Sequence, residues 1–425
     1  MTAPAAVERE LREQAPRVLA ALVRRHRDFA RCEDAVQEAL VEAHRAWREP
    51  PTSPFGWLLT VAERRFVDAV RADSARARRE QRHAALEAPL ADAPAGRAED
   101  DTLELLALCC HPDLPVASQV ALALRAVGGL TTAEVARALL VAEPTLAQRI
   151  ARAKARLRGV PFGELPAVQG GPRLAAVLHV LYLIFTEGHL ASGGAALVRD
   201  DLAADALRLA RQVHGALPDD GEAQALLGLM VLTVARRPAR LTPDGALVPL
   251  AEQDRSLWDA AAIAEGAALV QDALARGAAG PYALQAAITA LHAEAPTAAA
   301  TDWPQILALY DLLATLDRNP VVMLNRAVAV GEVEGPRAGL AALDAVEREL
   351  RHGDRHRLDA VPGYLLSAAG DAPAAARAYV AAAGAATAPA ERRHLAARAA
   401  ALAAQSSTSA PPRSSSTSGS RSPTR

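Results

Sequence analysis

The sequence predicts an all-α protein, and its composition and its periodicity both favour this fold class. Hydrophobic residues make up 51% of the 425 residues and aromatic residues only 3%, so the core must consist mainly of Ala, Leu and Val. Ala and Leu have high helix propensity, and few β-branched or aromatic positions compete with them. Apolar residues also recur at helical spacing, and clusters of Pro and Gly separate the periodic stretches.

The bulk properties narrow the class of protein. At about 150 residues per domain, this length indicates two or three domains. The net charge of −2 at pH 7 is an average, because basic residues cluster in the first part of the chain. The three cysteines, Cys32, Cys109 and Cys110, cannot form a disulfide framework and fit a reducing cytoplasm. We find neither a signal peptide nor about 18 uninterrupted apolar residues, so we expect a cytoplasmic protein with no membrane partner.

Helical periodicity and its interruptions predict the domain organisation. Helices are expected over residues 8–30, over about 32–47, and from Pro54 or Phe55 to about 82. Short sequences after Gly335 and Gly370 resemble each other at a spacing of 35, close to the 34 residues of a tetratricopeptide unit. We predict a first domain at 1–82, a linker at 83–100, a second domain at 101–160, a linker at 161–172, a helical tetratricopeptide-like extension at 173–405 and a disordered tail at 406–425.

The segment 131–158 has the layout of a helix-turn-helix. Thr132 is expected to cap a short helix, a turn follows at about 140–143, and Pro144 suits the first turn of a second helix. That second helix combines an apolar stripe with basic residues that would neutralise DNA phosphates. The alternative is a solvated amphipathic helix on a helical bundle. The candidate DNA contacts are Thr145, Gln148, Arg149, Arg152 and Lys154.

A second informative segment covers residues 33–79. Asp34, Gln37, Glu38 and Glu42 form an acidic and polar face on one predicted helix. The following helix interleaves aromatic residues with arginines, a pattern suited to single-stranded or melting DNA, where rings stack on bases. The alternative is that Trp57 and Phe66 are simply core residues. The aromatic and basic residues are Phe55, Trp57, Phe66, Arg64, Arg65, Arg71, Arg76, Arg78 and Arg79.

In this order and spacing the segments resemble an extracytoplasmic-function (ECF) sigma factor of the sigma-70 family. EDAVQEALVEAHRAW resembles regions 2.1–2.2, SPFGWLLTVAERRFVDAVR resembles regions 2.3–2.4, and VGGLTTAEVARALLVAEPTLAQRIARAKARLR resembles region 4. LYLIFTEGHLAS and DWPQILALYDLL resemble the subgroup with a tetratricopeptide-like extension.

The resemblance implies two partners, core RNA polymerase (through its β′ clamp and β flap) and promoter DNA. Asp34, Gln37 and Glu38 would dock on the β′ clamp. Trp57, Arg64, Arg65 and Arg71 would recognise and open the −10 element, and the candidates of the helix-turn-helix would read the −35 element. Glu63-Arg64 stands where relatives often carry an Arg-Asn pair. A carboxylate in place of a basic side chain changes the local electrostatic field near the −10 contacts. Ala142-Glu143-Pro144 replaces a Ser-Glu-Gly-like turn, and we expect its geometry to survive.

Other residues that suggest chemistry are weaker candidates. Cys109-Cys110-His111 lacks a second cluster to complete a zinc site, and Glu187-Gly188-His189 lacks a nucleophile motif. We therefore expect no enzyme activity, no metal and no cofactor. Trp258, Trp303, Tyr310 and Asn325 either line a groove for a protein or ligand or anchor an Ala-rich core.

The leading hypothesis is a sigma factor regulated by its own extension. The first alternative is a helix-turn-helix regulator with a repeat-type sensor that does not bind core polymerase. The second is an adaptor built on helical repeats with a degenerate DNA-binding half.

Overall fold

Helices form the framework of the chain. The computed structural model describes residues 3–80, 102–139, 141–158, 160, 171–189, 200–243, 245–317, 319–349, 360–386 and 389–408. These residues form α-helices and short 3-10 helices, with an isolated antiparallel bridge between Leu241 and Leu247, so the predicted all-α class is confirmed. Two compact units are present, Met1–Ala235 with Asp259–Ala290 and Arg236–Trp258 with Leu291–Arg425. The predicted linker at 83–100 and most of that at 161–172 lie outside the described residues.

The first module consists of α1 (Ala3–His26), α2 (Phe29–Ala46) and α3 (Pro54–Glu80), which pack against one another. The Asp28 carboxylate accepts a hydrogen bond from the backbone N–H of Arg31 at 3.1 Å and so caps α2. Pro54 is the first residue of α3, a position where the missing N–H of proline costs nothing. The three helices predicted here are present, and their ends differ from the expected ones by a few residues.

The second module consists of α4 (Thr102–Cys109), α5 (Val116–Ala126), α6 (Thr132–Ala138) and α7 (Glu143–Arg156). The expected cap of α6 is wrong, because Thr131 and not Thr132 precedes the helix. Thr131 Oγ1 accepts from the backbone N–H of Glu134 at 3.2 Å, and Glu134 Oε2 accepts from the backbone N–H of Thr131 at 2.8 Å. This reciprocal pair is a capping box. Pro144 lies in the first turn of α7 as expected.

The first unit also contains α8 (Pro172–His189), α9 (Asp200–Ala216), α10 (Gly221–Ala235), α11 (Ala260–Ala275) and most of α12 (Pro281–Glu294). α10 and α11 approach closely at Gly266, where an added Cβ would lie 2.6 Å from Leu232 Cγ. Glu222 on α10 caps α12. Its Oε2 accepts from the backbone N–H of Tyr282 at 3.0 Å and its Oε1 from that of Ala283 at 3.2 Å.

The second unit contains α13 (Trp303–Leu316), α14 (Pro320–Glu334), α15 (Pro336–Glu349), α16 (Ala360–Ala368), α17 (Ala372–Ala385) and α18 (Pro389–Thr408), and consecutive helices contact each other. Gly335 and Gly370 each lie between two helices with φ of 99° and 81°, a conformation that favours glycine. The prediction of a disordered tail is wrong for residues 406–408, because α18 continues to Thr408. Residues 409–425 lie outside the described part.

Candidate core-polymerase and promoter interfaces

The acidic and polar residues of α2 lie opposite its buried stripe. Asp34, Gln37 and Glu38 follow at intervals of three and one, so they share one side of the helix. The side chains of Asp34 and Glu38 are 71% and 62% exposed, whereas Ala35 and Ala39 are buried. The structure therefore brings the three predicted polymerase contacts onto one surface, the α2 acidic face (Asp34, Gln37 and Glu38).

One edge of the α2 acidic face contacts the second module. Glu33 is buried, with 2% of its side chain exposed, and its Oε1 lies 3.2 Å from Arg125 Nε of α5. Lys154 of α7 donates to Glu33 Oε2 and, at 3.1 Å, to Asp34 Oδ1. Sequence reasoning did not single out Glu33. Lys154 is the only lysine in the sequence, but this does not indicate that its partner is Glu33.

The aromatic residues of α3 divide between core and surface. Phe66 is buried and stacks on His26 with ring centroids 3.9 Å apart, so the core interpretation is right for Phe66. Trp57 is half-buried and contacts Trp47 edge to face at 5.2 Å. Beside Trp57 lies an open depression of about 510 Å³, lined by Pro51, Thr52, Ser53, Gly56, Trp57, Thr60 and Val61.

A single carboxylate holds two of the predicted −10 arginines. Arg65 Nη2 donates to Glu42 Oε2 at 2.7 Å, and Arg64 Nη2 lies 3.3 Å from Glu42 Oε1. The hydrogen bond from Arg65 lowers the pKa of the Glu42 carboxyl, and the charges of Arg65 and Arg64 act in the same direction. Arg71 is exposed farther along α3. The side chains of Arg76, Arg78 and Arg79 lie outside the described ones.

Glu63, the departure from the usual Arg-Asn pair, faces α1. Its Oε1 lies 2.9 Å from His26 Nε2 and 3.6 Å from Arg25 Nε. The carboxylate therefore meets basic residues at the C-terminal end of α1, where cations are favoured by the helix dipole. Its neighbour Arg64 turns instead to Glu42 and is 60% exposed.

α7 presents its predicted DNA contacts on two different sides. Thr145, Gln148, Arg149 and Arg152 lie within about 100° of one another at 100° per residue, and Arg152 Nη2 donates to Gln148 Oε1 at 3.5 Å. Lys154 lies about 180° from Thr145 and faces α2. The apolar stripe is buried as predicted, through Leu146, Ile150, Ala153 and Leu157. The structure thus groups four of the five candidates and places Lys154 apart.

Comparisons with known proteins match both modules. The model Sigma-70 region 2 matches residues 11–76, and the model Sigma-70, region 4 matches residues 105–157. The ECF RNA polymerase sigma factor SigK of Mycobacterium ulcerans (strain Agy99) is 34% identical over 148 residues, which are 33% of this chain and 78% of that relative. The chain belongs to the sigma-70 family.

The extension of this sigma-70 family chain has its own relatives. A family of unknown function, DUF6596, matches residues 173–274. An uncharacterized protein of Rhizobium meliloti (strain 1021) is 41% identical over 352 residues, 79% of this chain and 82% of that relative. That alignment is longer than the two modules together, so part of the extension is shared as well. No solved structure matches the chain.

Of the other candidates that the structure describes, Cys109, Cys110 and Trp258 are buried. Cys109 and Cys110 are buried at the end of α4, and burial raises the pKa of both thiols. Trp258 is 7% exposed beneath the Arg255 guanidinium, 4.4 Å from its ring centroid, whereas Asn325 is exposed. The side chains of Glu187 and His189 lie outside the described ones. Within the described residues, no group of three or more His, Cys, Asp or Glu could hold a metal ion, and no helix is long and apolar enough to cross a membrane.

Proposed function

We propose that this chain is a cytoplasmic sigma factor of the ECF type, without enzyme activity, that binds core RNA polymerase and directs initiation at promoters with −35 and −10 elements. The observation that carries the proposal is the pairing of an acidic polar face on α2 with a basic face on α7, each on a module that matches a sigma-70 region. A plain helix-turn-helix regulator has no use for the α2 acidic face.

The α2 acidic face would dock on the β′ clamp of core polymerase. Asp34 and Glu38 offer exposed carboxylates that a basic partner surface can pair with, and Gln37 between them is half-buried. Their rigid helical spacing means that little order has to be created on binding. The second module would contact the β flap.

The first module would engage the −10 element through α3. Trp57 borders the 510 Å³ depression and offers a ring on which an extruded base stacks. Arg64 and Arg71 are exposed and would hold the backbone. Arg65 is less exposed than Arg64 and Arg71. Its hydrogen bond to Glu42 supports a role in positioning α3 on α2 in addition to contact with DNA.

The exposed side of α7 would enter the major groove at the −35 element. Thr145 and Gln148, near the start of the helix, would reach base edges, and Arg149 and Arg152 would contact bases or phosphates. Lys154 joins this set only when it leaves Glu33 and Asp34. The tetratricopeptide-like extension would regulate these activities, either by holding an active arrangement or by sensing a protein or ligand.

The deciding experiment measures binding of the purified full chain to core polymerase, followed by transcription in vitro from promoters that the complex selects. We expect a stable complex and promoter-dependent transcripts. A triple Asp34→Ala/Gln37→Ala/Glu38→Ala variant should lose affinity for core, whereas Glu49→Ala, an exposed acid beyond the end of α2, should not.

The outcomes separate the alternatives. A triple variant that binds core as tightly as the wild type would remove the docking assignment. DNA binding without any core binding would favour the helix-turn-helix regulator. If the chain and core polymerase together give no more transcript than core alone from any promoter tested, the adaptor is favoured.

A further inference from the structure

Three arginines of the second unit, Arg236, Arg240 and Arg255, lie close to one another. They are brought together because the 3-10 helices Arg237–Ala239 and Arg255–Leu257 contact each other. All three arginines are half-buried, so part of each remains open to solvent. Several cations at one half-buried position repel one another unless negative charge compensates them.

Arg255 has a structural role at the end of α12. Its Nη1 donates to the backbone carbonyls of His292 and Ala295, at 2.8 and 2.7 Å, and its guanidinium lies over the Trp258 ring. The last carbonyls of a helix have no partner within the helix, and a basic side chain can satisfy them. These contacts account for Arg255 and leave Arg236 to be explained.

Two N–H donors of this cluster are buried without an acceptor. Within the described residues, Arg236 Nε and Trp258 Nε1 have no hydrogen-bond partner. The two side chains lie near each other, because Ala235 and Asp259, which adjoin them in sequence, share a backbone hydrogen bond of 2.9 Å. Both groups can only donate, and a buried donor without an acceptor is unfavourable. An anion with several oxygens would supply acceptors to both.

The charges around Arg236 have its own sign. Burial, together with the charges of Arg240 and Arg255, lowers the pKa of Arg236 to about 10. Burial and the charges of Arg236 and Arg255 lower the pKa of His292 to about 4, so that ring is neutral at pH 7. The cluster therefore has a positive potential that favours an anion.

The described acidic residues beside this cluster in sequence have other partners. The carboxylates of Asp254 and Asp259 cap the helices that follow them, and the carboxylate of Glu252 pairs with Arg398. Each of these groups therefore has a role at another position. Among these neighbours, none supplies the acceptor that Arg236 Nε requires.

We propose that Arg236, Arg240 and Trp258 form a binding site for the phosphate group of a small molecule, with Arg255 and His292 at its border. A phosphate has a charge of about −1.5 to −2 near neutral pH and several acceptor oxygens, which suits a site with several cations and two N–H donors better than a monocarboxylate does. Guanidinium groups also bind phosphate through paired N–H bonds. The site lies in the extension and is independent of the proposed function, because binding is measured on the free chain.

The first test measures binding to the purified full chain by calorimetry, in a chloride buffer of constant ionic strength at neutral pH. The probes are inorganic phosphate, phenyl phosphate and acetate. We expect saturable binding of a phosphate probe and none of acetate at the same concentration. Tighter binding of phenyl phosphate supports a phosphate monoester as the ligand, and tighter binding of inorganic phosphate supports the free ion. Absence of saturable binding of both phosphate probes, or equal binding of acetate, would overturn the proposal.

The second test compares variants with the same probes. Arg236→Met keeps an apolar stem and removes the guanidinium, so phosphate binding should weaken about ten- to hundredfold. Trp258→Phe keeps a ring beneath Arg255 and removes only the N–H, and should weaken binding about two- to tenfold. Arg377→Met, exposed on α17 of the same unit, is the matched control and should bind like the wild type. Equal affinity of Arg236→Met and the control would assign phosphate to another place and overturn the proposal.

The third test separates ligand binding from a structural role of Arg236. If an acid of the chain held Arg236, Arg236→Met would lower the midpoint of chemical denaturation in chloride buffer. If Arg236 serves a ligand, the substitution relieves repulsion from Arg240 and Arg255, so we expect an equal or higher midpoint. Phosphate should then raise the midpoint more for the wild type than for the variant, since a general salt effect is common to both. A lower midpoint in chloride and an equal response to phosphate would contradict the proposal.

Discussion

Removing one arginine from the exposed side of α7 should reduce the salt dependence of promoter binding by a predictable amount. Arg152 contacts Gln148 on its own helix. The buried side of α7 is formed by other residues, among them Leu146 and Ile150, so Arg152 does not contribute to the packing of the helix. Arg152→Ala should therefore leave the helix intact, since Ala has the highest helix propensity. Each lost phosphate contact makes the negative slope of log K against log salt shallower by roughly 0.9.

The magnitude follows from that slope. Between about 50 and 200 mM salt, one phosphate contact accounts for about a 3.5-fold difference in affinity, so the disadvantage of Arg152→Ala should shrink by about that factor over this range. Arg149→Ala should behave in the same way if Arg149 contacts a phosphate. If it instead reads a base, its loss should cost about 1–3 kcal/mol on the preferred sequence and little on others.

The assay is equilibrium binding of the reconstituted polymerase complex to a promoter duplex that it has selected from a random pool, repeated across salt concentrations. Arg211→Ala is the control, because it removes an arginine that pairs with Glu265 at 3.2 Å, outside both modules. A slope for Arg152→Ala equal to that of the wild type and the control would place Arg152 away from DNA and refute the assignment of this side of α7.

Three further predictions concern stability and pH. Gly266→Ala should destabilise the chain by about 1–3 kcal/mol in chemical denaturation, because its Cβ would overlap Leu232, whereas Gly215→Ala, with open space around it, should stabilise it slightly. Glu222→Ala should cost about 0.5–2 kcal/mol by the same measurement, since it leaves two N–H groups at the start of α12 without their acceptor. The pairing with Arg65 lowers the pKa of Glu42 in the folded chain, so the ionised carboxylate stabilises the fold above the ordinary glutamate range, and this stabilisation is lost as the pH falls below it. The difference in unfolding free energy between wild type and Glu42→Gln should therefore disappear in acid. A difference that stays constant with pH would contradict the pairing with Arg65.

Local features of the fold were accessible from the sequence. The helices of both modules follow from apolar periodicity, and the position of Pro144 follows from its missing N–H. Thr131 and not the expected Thr132 caps α6, and the sequence could have distinguished them, because Thr131 has a glutamate three residues later, the spacing of a capping box, whereas Thr132 has Val135. At 100° per residue, the separation of Lys154 from the other α7 candidates was also within reach.

Contacts between distant segments were not accessible in this way. Glu33 lies 121 positions from Lys154, and no local pattern indicates that a buried carboxylate should find its cations on α5 and α7. Glu63 was expected to alter the field near the −10 contacts, but its partners His26 and Arg25 lie on another helix. The boundaries between the two compact units, near residues 235 and 290, lie within the extension at 173–405, which the sequence indicates as one continuous helical domain.

The buried cysteines restrict how this chain can respond to oxidants. Peroxides and related electrophiles react with thiolates, and burial raises the pKa of Cys32, Cys109 and Cys110, which keeps all three protonated at neutral pH. None of them is at the surface, where a resolving thiol or glutathione would have to reach it. The folded chain therefore protects these three thiols from direct oxidation.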